Sequence, residues 1–219
     1  MHSKEQIILN EPKETSRIEA FSDGVFSIAI TLLILQIQLP QVDQHHMLLK
    51  GLGEQWPSYL AFVISFMTIL IIWINHHNFF RLVNRVDHIF LILNGLLLLS
   101  VTFVNYPTEI LAQSLKEQGA SLLFGVGSDQ DVAAIFYSVT FIVISLFFNV
   151  LWRYAVHQNR LLSSRADPRI VAAIHAQYRF APLYYVPAAI FGIFSVAASL
   201  AVNGLLAVSF VFVKPATGS

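Results

Sequence analysis

Runs of apolar residues broken by short polar connections divide the chain into five long hydrocarbon stretches. A helix needs about 20 apolar residues to cross a hydrocarbon core about 30 Å thick. On that measure the first stretch is a helix over 16–39, stopped by Pro40, and the next three are helices over 55–80, 88–114 and 131–157. The last stretch, 180–213, is 34 residues long. As a helix it would extend about 51 Å, too far for one crossing. The dipeptide Asn203–Gly204 is a turn signal, so helices over 168–202 and 204–214 are expected there. Asp167 has the residue type of an N-cap, with Pro168 at the first helical position. The segment 166–179 is therefore expected to begin the fifth helix at the membrane surface and anchor it there. Short connections join all six helices, and no tandem repeat interrupts them. The expected fold is all-α, a polytopic membrane helix bundle in a single domain over 1–219.

Composition narrows the class. Hydrophobic residues make up 56% of the chain and charged residues 12%, about half the charged share of a typical soluble domain. The formal net charge is zero, which argues against nucleic-acid partners. The absence of cysteine excludes disulfides, thiolate metal sites and cysteine nucleophiles. The polar beginning of the chain has neither the apolar core nor the small-residue cleavage site of a signal peptide.

Orientation follows from lysine and arginine. Ten of them fall on the N-terminal segment and on the second and fourth connections: Lys4, Lys13, Arg17, Arg81, Arg85, Arg153, Arg160, Arg165, Arg169 and Arg179. The first and third connections carry only Lys50 and Lys116. The N-terminus is thus expected in the cytoplasm.

The first helix carries a difficulty. "SRIE" at 16–19 fits a capping box, with Ser16 as N-cap and Glu19 three positions on. Asp23 then sits about 10 Å along the axis, a depth at which an acid needs a partner or a water-filled cavity. Arg17 is six residues away and on another face, so partners on a second helix are expected. Helix two returns toward the cytoplasm and ends in "WINHHNFF", level with Arg17–Asp23. A polar cluster of Arg17, Ser22, Asp23, Trp73, Asn75 and His77 would satisfy its members. Such a cluster would serve to lock two helices together, or to sense pH or gate. Above it runs a narrow stripe of Gly24, Ile28, Thr31, Leu35 and Gln38; taken alone, a stripe of this kind is ordinary helix packing.

The same residues carry a resemblance. "RIEAFSD" at 17–23 resembles the R-x-x-x-F-S-D signature that opens the first helix of the transmembrane protein 175 family of potassium channels, here Arg17, Phe21, Ser22 and Asp23. The likeness runs on through "GVFSIAITLLILQI" and into the aromatic–histidine end of helix two. One six-helix unit with one signature resembles a prokaryotic member. The resemblance implies a homotetramer in the cell membrane, and a potassium-permeable pore lined by the first helix of each subunit, with no re-entrant filter loop. It implies a hydrophobic constriction at Ile28, further apolar layers at Leu32 and Leu35, and a selectivity layer at Thr31. It also implies that the signature is tied to the Trp73/His77 end of helix two. No cofactor is implied beyond the permeant potassium ions.

A narrow apolar ring gates by dewetting and discriminates ions by the hydration they shed. With no "TVGYG" carbonyl cage, modest preference for potassium over sodium is expected, with proton leak as a further property. Every arginine lies at a helix end or in a loop, so S4-type voltage sensing is not expected. A secondary cation or proton-coupled transporter would need broken helices and mid-membrane charge, which helices one to four lack. A non-conducting membrane scaffold would differ in showing no conductance. His45–His46 and His76–His77 lack metal-site spacing, so neither a metal centre nor an enzyme is expected. "GVGSDQD" at 125–131 lacks the lysine of a phosphate loop and reads as an external turn that caps helix four at Ser128 or Asp129.

Overall fold

The computed structural model describes residues 14–40, 48–117, 128–157, 160–163 and 166–212. His45–His46 and the start of the 125–131 turn lie outside them. Among the described residues nine α-helices follow in order: α1 Glu14–Leu32, α2 Leu48–Glu54, α3 Trp56–Phe80, α4 His88–Thr102, α5 Asn105–Glu117, α6 Asp129–Val156, α7 Pro168–Arg179, α8 Ala181–Gly192 and α9 Val196–Phe212. The described residues contain no strand, only an isolated antiparallel bridge between Val83 and Leu162. Among the described residues four stretches are long and apolar enough to cross a membrane: 14–36, 56–80, 88–116 and 129–156.

The bundle is built around α6, which packs against α8, α4, α5 and α9. Tyr137, Phe141, Ile144, Leu151 and Trp152 on α6 are fully buried. Helix α1 lies on one flank, against α3 and α4, and buries Ser22, Phe26 and Ala29 at three- and four-residue spacing, with Leu33 of the following turn buried after them. The start of α1, the end of α3, the start of α4 and the end of α6 meet at one end of the bundle. There Asn84 N–H donates to Leu161 O at 2.9 Å and Ser163 N–H to Leu82 O at 2.8 Å.

Several helix boundaries depart from the expectation. Helix α1 is already under way at Ser16, so the 16–19 capping box does not form. Its α-helical part ends at Leu32, and a 3₁₀ turn continues over Leu33–Gln36. The expected third helix breaks at Phe103–Val104, because Pro107 has no N–H to offer the Phe103 carbonyl; Tyr106 N–H bonds that carbonyl at 3.1 Å instead. The expected fifth helix, 168–202, is three pieces. Pro182 leaves the Tyr178 carbonyl without its helical donor, and the Asn149 side-chain amide donates to it. The turn expected at Asn203–Gly204 is absent, since both residues lie inside α9. Asn203 is buried and its amide donates to Ser138 Oγ and to Ser199 O, each at 3.0 Å. The break falls upstream, at Ile193–Ser195, where the Ser195 hydroxyl caps α9 by accepting from Ala198 N–H.

Ser128 caps α6 in a reciprocal box with Asp131. Asp167 caps α7 by accepting from Arg169 N–H at 2.8 Å.

Candidate functional site

The antiparallel pairing of α1 and α3 matches two side chains four residues apart on each helix. Trp73 Nε1–H donates to Asp23 Oδ1 at 2.8 Å. One turn away, His77 Nδ1 lies 3.0 Å from Glu19 Oε1 and donates to that carboxylate. The Trp73 and His77 rings stack with centroids 6.1 Å apart. Residues at i and i+4 share a helix face, so 19/23 on one helix and 77/73 on the other form a two-rung ladder.

A second layer lies one position around each helix, and deeper. His76 Nε2 is 2.9 Å from Asn94 Oδ1, Asn94 Nδ2 donates to Ser22 Oγ at 2.9 Å, and Ser22 O–H donates to the Ile18 carbonyl at 2.9 Å. All four groups form one directional chain, because the Asn94 carbonyl oxygen requires a donor and so fixes the proton on His76 Nε2. His76 and Ser22 are fully buried. The His76 ring packs on Phe80 at 4.6 Å and on Phe26 at 5.2 Å. The chain joins α1, α3 and α4.

The structure brings four of the six cluster residues expected from the sequence into this region: Ser22, Asp23, Trp73 and His77. Asn75 is not among them. It lies two residues from both Trp73 and His77, about 200° around α3. It faces a small cavity of about 50 Å³ shared with Asn149, Tyr178 and Tyr185. Arg17 makes no hydrogen bond or ion pair with Asp23 among the described residues. It lines a groove of about 470 Å³ between α1 and α4, with Glu14, Phe21, Asn94 and Gly95. Glu19, His76 and Asn94 were missing from the expected cluster. The available signal was Asn94, the lone amide in the apolar run of α4.

The opposite face of α1 is uncovered. Phe21, Ile28, Leu32 and Leu35 are 67%, 58%, 43% and 71% exposed, and Arg17, Gly24, Thr31 and Gln38 are exposed with them. Within α1, positions 17, 21, 24, 28 and 31 follow heptad spacing, the seam along which helices meet side by side; Leu35 lies in the 3₁₀ turn that follows and Gln38 beyond it. A Cβ at Gly24 or Gly95 would meet nothing within 4 Å. The Thr31 hydroxyl donates back to the helix, with Ser27 O at 2.9 Å and Ile28 O at 3.0 Å. Its proton is therefore committed to the backbone, and its lone pairs face outward.

Residues 17–104 match the family model of the endosomal/lysosomal potassium channel TMEM175. A potassium channel of Chamaesiphon minutus is 47% identical over 202 residues, covering 91% of this chain and 95% of the relative. One from Streptomyces collinus is 41% identical, with 91% and 92% covered. The chicken endosomal/lysosomal proton channel TMEM175 is 34% identical over 72% of this chain but only 30% of its own length. The crystal structure of a lysosomal potassium-selective channel TMEM175 homolog from Chamaesiphon minutus superposes with a TM-score of 0.77. It is 43% identical, with 91% of this chain and 97% of that one covered.

Proposed function

The chain belongs to the TMEM175 family of membrane cation channels, which are not enzymes, and from that membership we propose that four copies assemble in the cell membrane around their first helices to conduct potassium. The observation that carries this reading is the uncovered face of α1 and of the 3₁₀ turn after it, where Ile28 and Thr31 on the helix and Leu35 on the turn are all exposed. A lone chain leaves Ile28 and Leu35 largely uncovered by protein, and a central pore bounded by four such faces would use them. The open α1–α4 groove, lined by the small residue Gly95, and the open space at Gly24 on α1 suit the close approach of a neighbouring copy.

In this reading Ile28 forms the narrowest ring, Leu32 and Leu35 add apolar layers, and Thr31 turns hydroxyl lone pairs toward a partly dehydrated cation. Potassium sheds water more readily than sodium, so preference for it is expected to be modest without a carbonyl cage. The Trp73–Asp23 and His77–Glu19 rungs hold the lower part of α1 in register against α3. The N-terminus lies in the cytoplasm, and protons pass as well; the chicken relative is named a proton channel.

Potassium and sodium flux into proteoliposomes tests the reading. Ile28→Asn is expected to raise flux, and Thr31→Ala to erode the preference for potassium. Folded protein that passes no ions in all three forms would refute a channel.

A further inference from the structure

At the arginine-bearing end of the bundle, a cavity of about 900 Å³ opens between the α3–α4 connection, the end of α6 with the connection that follows it, and α7. Arg85, Arg160 and Arg179 line it, with His175 between them. No carboxylate lines it among the described residues. Two acids lie close by outside the lining: Asp167, which caps α7 by accepting from Arg169 N–H, and Asp87, 3.4 Å from Arg160 Nη2. Asp87 is already engaged by Tyr154 O–H at 2.7 Å and Phe90 N–H at 2.9 Å.

The histidine gives an independent indication of what the cavity accepts. Trp152 Nε1–H donates to His175 Nδ1 at 3.3 Å, so Nδ1 is an acceptor and the ring proton sits on Nε2. His175 therefore offers a donor, alongside three guanidinium forks. Apolar side chains, among them Val156, Val171 and Phe180, complete the wall. The volume lies near the upper end of the range of about 300–1,000 Å³ for small-molecule sites, more than a bare phosphate would fill.

We propose that this cavity binds a phosphate group, with its oxygens held by Arg85, Arg160, Arg179 and His175 Nε2–H. Arginine forks match phosphate oxygens bidentately. Two sources share that chemistry: the headgroup of an anionic phospholipid and free phosphate. Basic pockets between helices at a membrane surface favour the lipid, as do the apolar wall and the size. The inference rests on the reading of the chain as membrane-spanning, but its readout is ligand retention and not ion flux. A silent channel that retains lipid and a conducting channel that does not are therefore distinguishable results.

The test uses the purified full-length protein in neutral detergent. Phosphatidylglycerol or phosphatidylcholine is added and retention read by native mass spectrometry; inorganic phosphate is added separately and read by thermal shift. Phosphatidylglycerol is expected to be retained over phosphatidylcholine. The double variant Arg85→Gln with Arg179→Gln is expected to weaken retention at least about tenfold. Arg81→Gln with Arg169→Gln removes the same charge outside the cavity and is expected to leave retention unchanged. A shift with inorganic phosphate, lost in Arg85→Gln, without lipid preference, would uphold the site with a soluble anion as its occupant. Equal losses in both pairs, or no binding of either probe, would overturn it. His175→Phe provides a second variant, expected to weaken binding without removing a permanent charge, should the arginine variants not fold.

Discussion

Asn94→Leu tests the buried chain that joins α1, α3 and α4. Leucine fills a similar volume but can neither accept from His76 nor donate to Ser22. The lost amide–hydroxyl bond is of a kind that contributes about 0.6 kcal/mol between membrane helices, with about 1.7 as the upper end. The Ser22 hydroxyl keeps its bond to Ile18 O. The larger effect falls on His76, whose Nε2–H is left buried without an acceptor, at a cost of about 1–3 kcal/mol. The sum is about 2–4 kcal/mol, or about 4–16 °C of thermal midpoint for a chain of this size. Removing both partners changes the outcome. In His76→Phe with Asn94→Leu no polar group is stranded, and the new ring extends the Phe26/Phe80 packing. The double variant is expected to recover at least half of the single variant's loss, measured by thermal unfolding in detergent. If Asn94→Leu leaves the midpoint unchanged, or the double variant loses the simple sum of the two singles, the directional chain is not what holds α1.

Three further outcomes are expected. Trp73→Phe keeps the ring and deletes the donor to Asp23, costing about 1–3 kcal/mol in the same assay; an unchanged midpoint would remove that rung. Gly192 packs so closely on α6 that an added Cβ would lie 3.2 Å from Ile135 Cγ1 and 3.3 Å from Ile135 N; Gly192→Val is expected to destabilise by about 1–3 kcal/mol, and a neutral result would contradict the close approach of α8. The Tyr154 hydroxyl, then the Phe90 N–H, hold the Asp87 carboxyl below the ordinary carboxylate range. A lowered folded pKa gives stability that is present above the unfolded value and lost as pH falls through the folded one. Acid titration of unfolding should therefore show a loss at the low-pH end that Asp87→Asn lacks, and identical titrations would refute the assignment.

The depth of Asp23 and the antiparallel return of helix two were enough to point from the sequence to Trp73, because depth along neighbouring helices is fixed by rise per residue. Depth does not fix direction around the axis. Asn75 therefore sat at the right level and faces away from α1, while Glu19, which had the spacing of a capping residue, pairs with His77. Asn94 required knowledge of which third helix lies beside α1, a matter of tertiary packing that no local pattern carries. The Asn203–Gly204 turn signal failed for a related reason. Turn residues mark breaks when their polar groups need satisfying locally, and Asn203 instead donates its amide across to Ser138 Oγ on α6 and back to the Ser199 carbonyl of its own helix. Prolines 107 and 182 did carry the information for breaks at 103–104 and 180, through the carbonyls they leave without helical donors.

The absence of cysteine from the chain allows the central claim, a pore lined by α1, to be tested directly. Ile28→Cys would be reconstituted and its potassium current recorded before and after a charged, membrane-impermeant thiol reagent. The account predicts block of the current in Ile28→Cys and none in the cysteine-free wild type. It predicts equal block in Leu35→Cys, an exposed apolar layer in the 3₁₀ turn beyond α1, and none in Ala29→Cys on the buried face. Unaltered current through Ile28→Cys and Leu35→Cys after their modification is confirmed by mass would contradict it and place the conduction path elsewhere in the bundle.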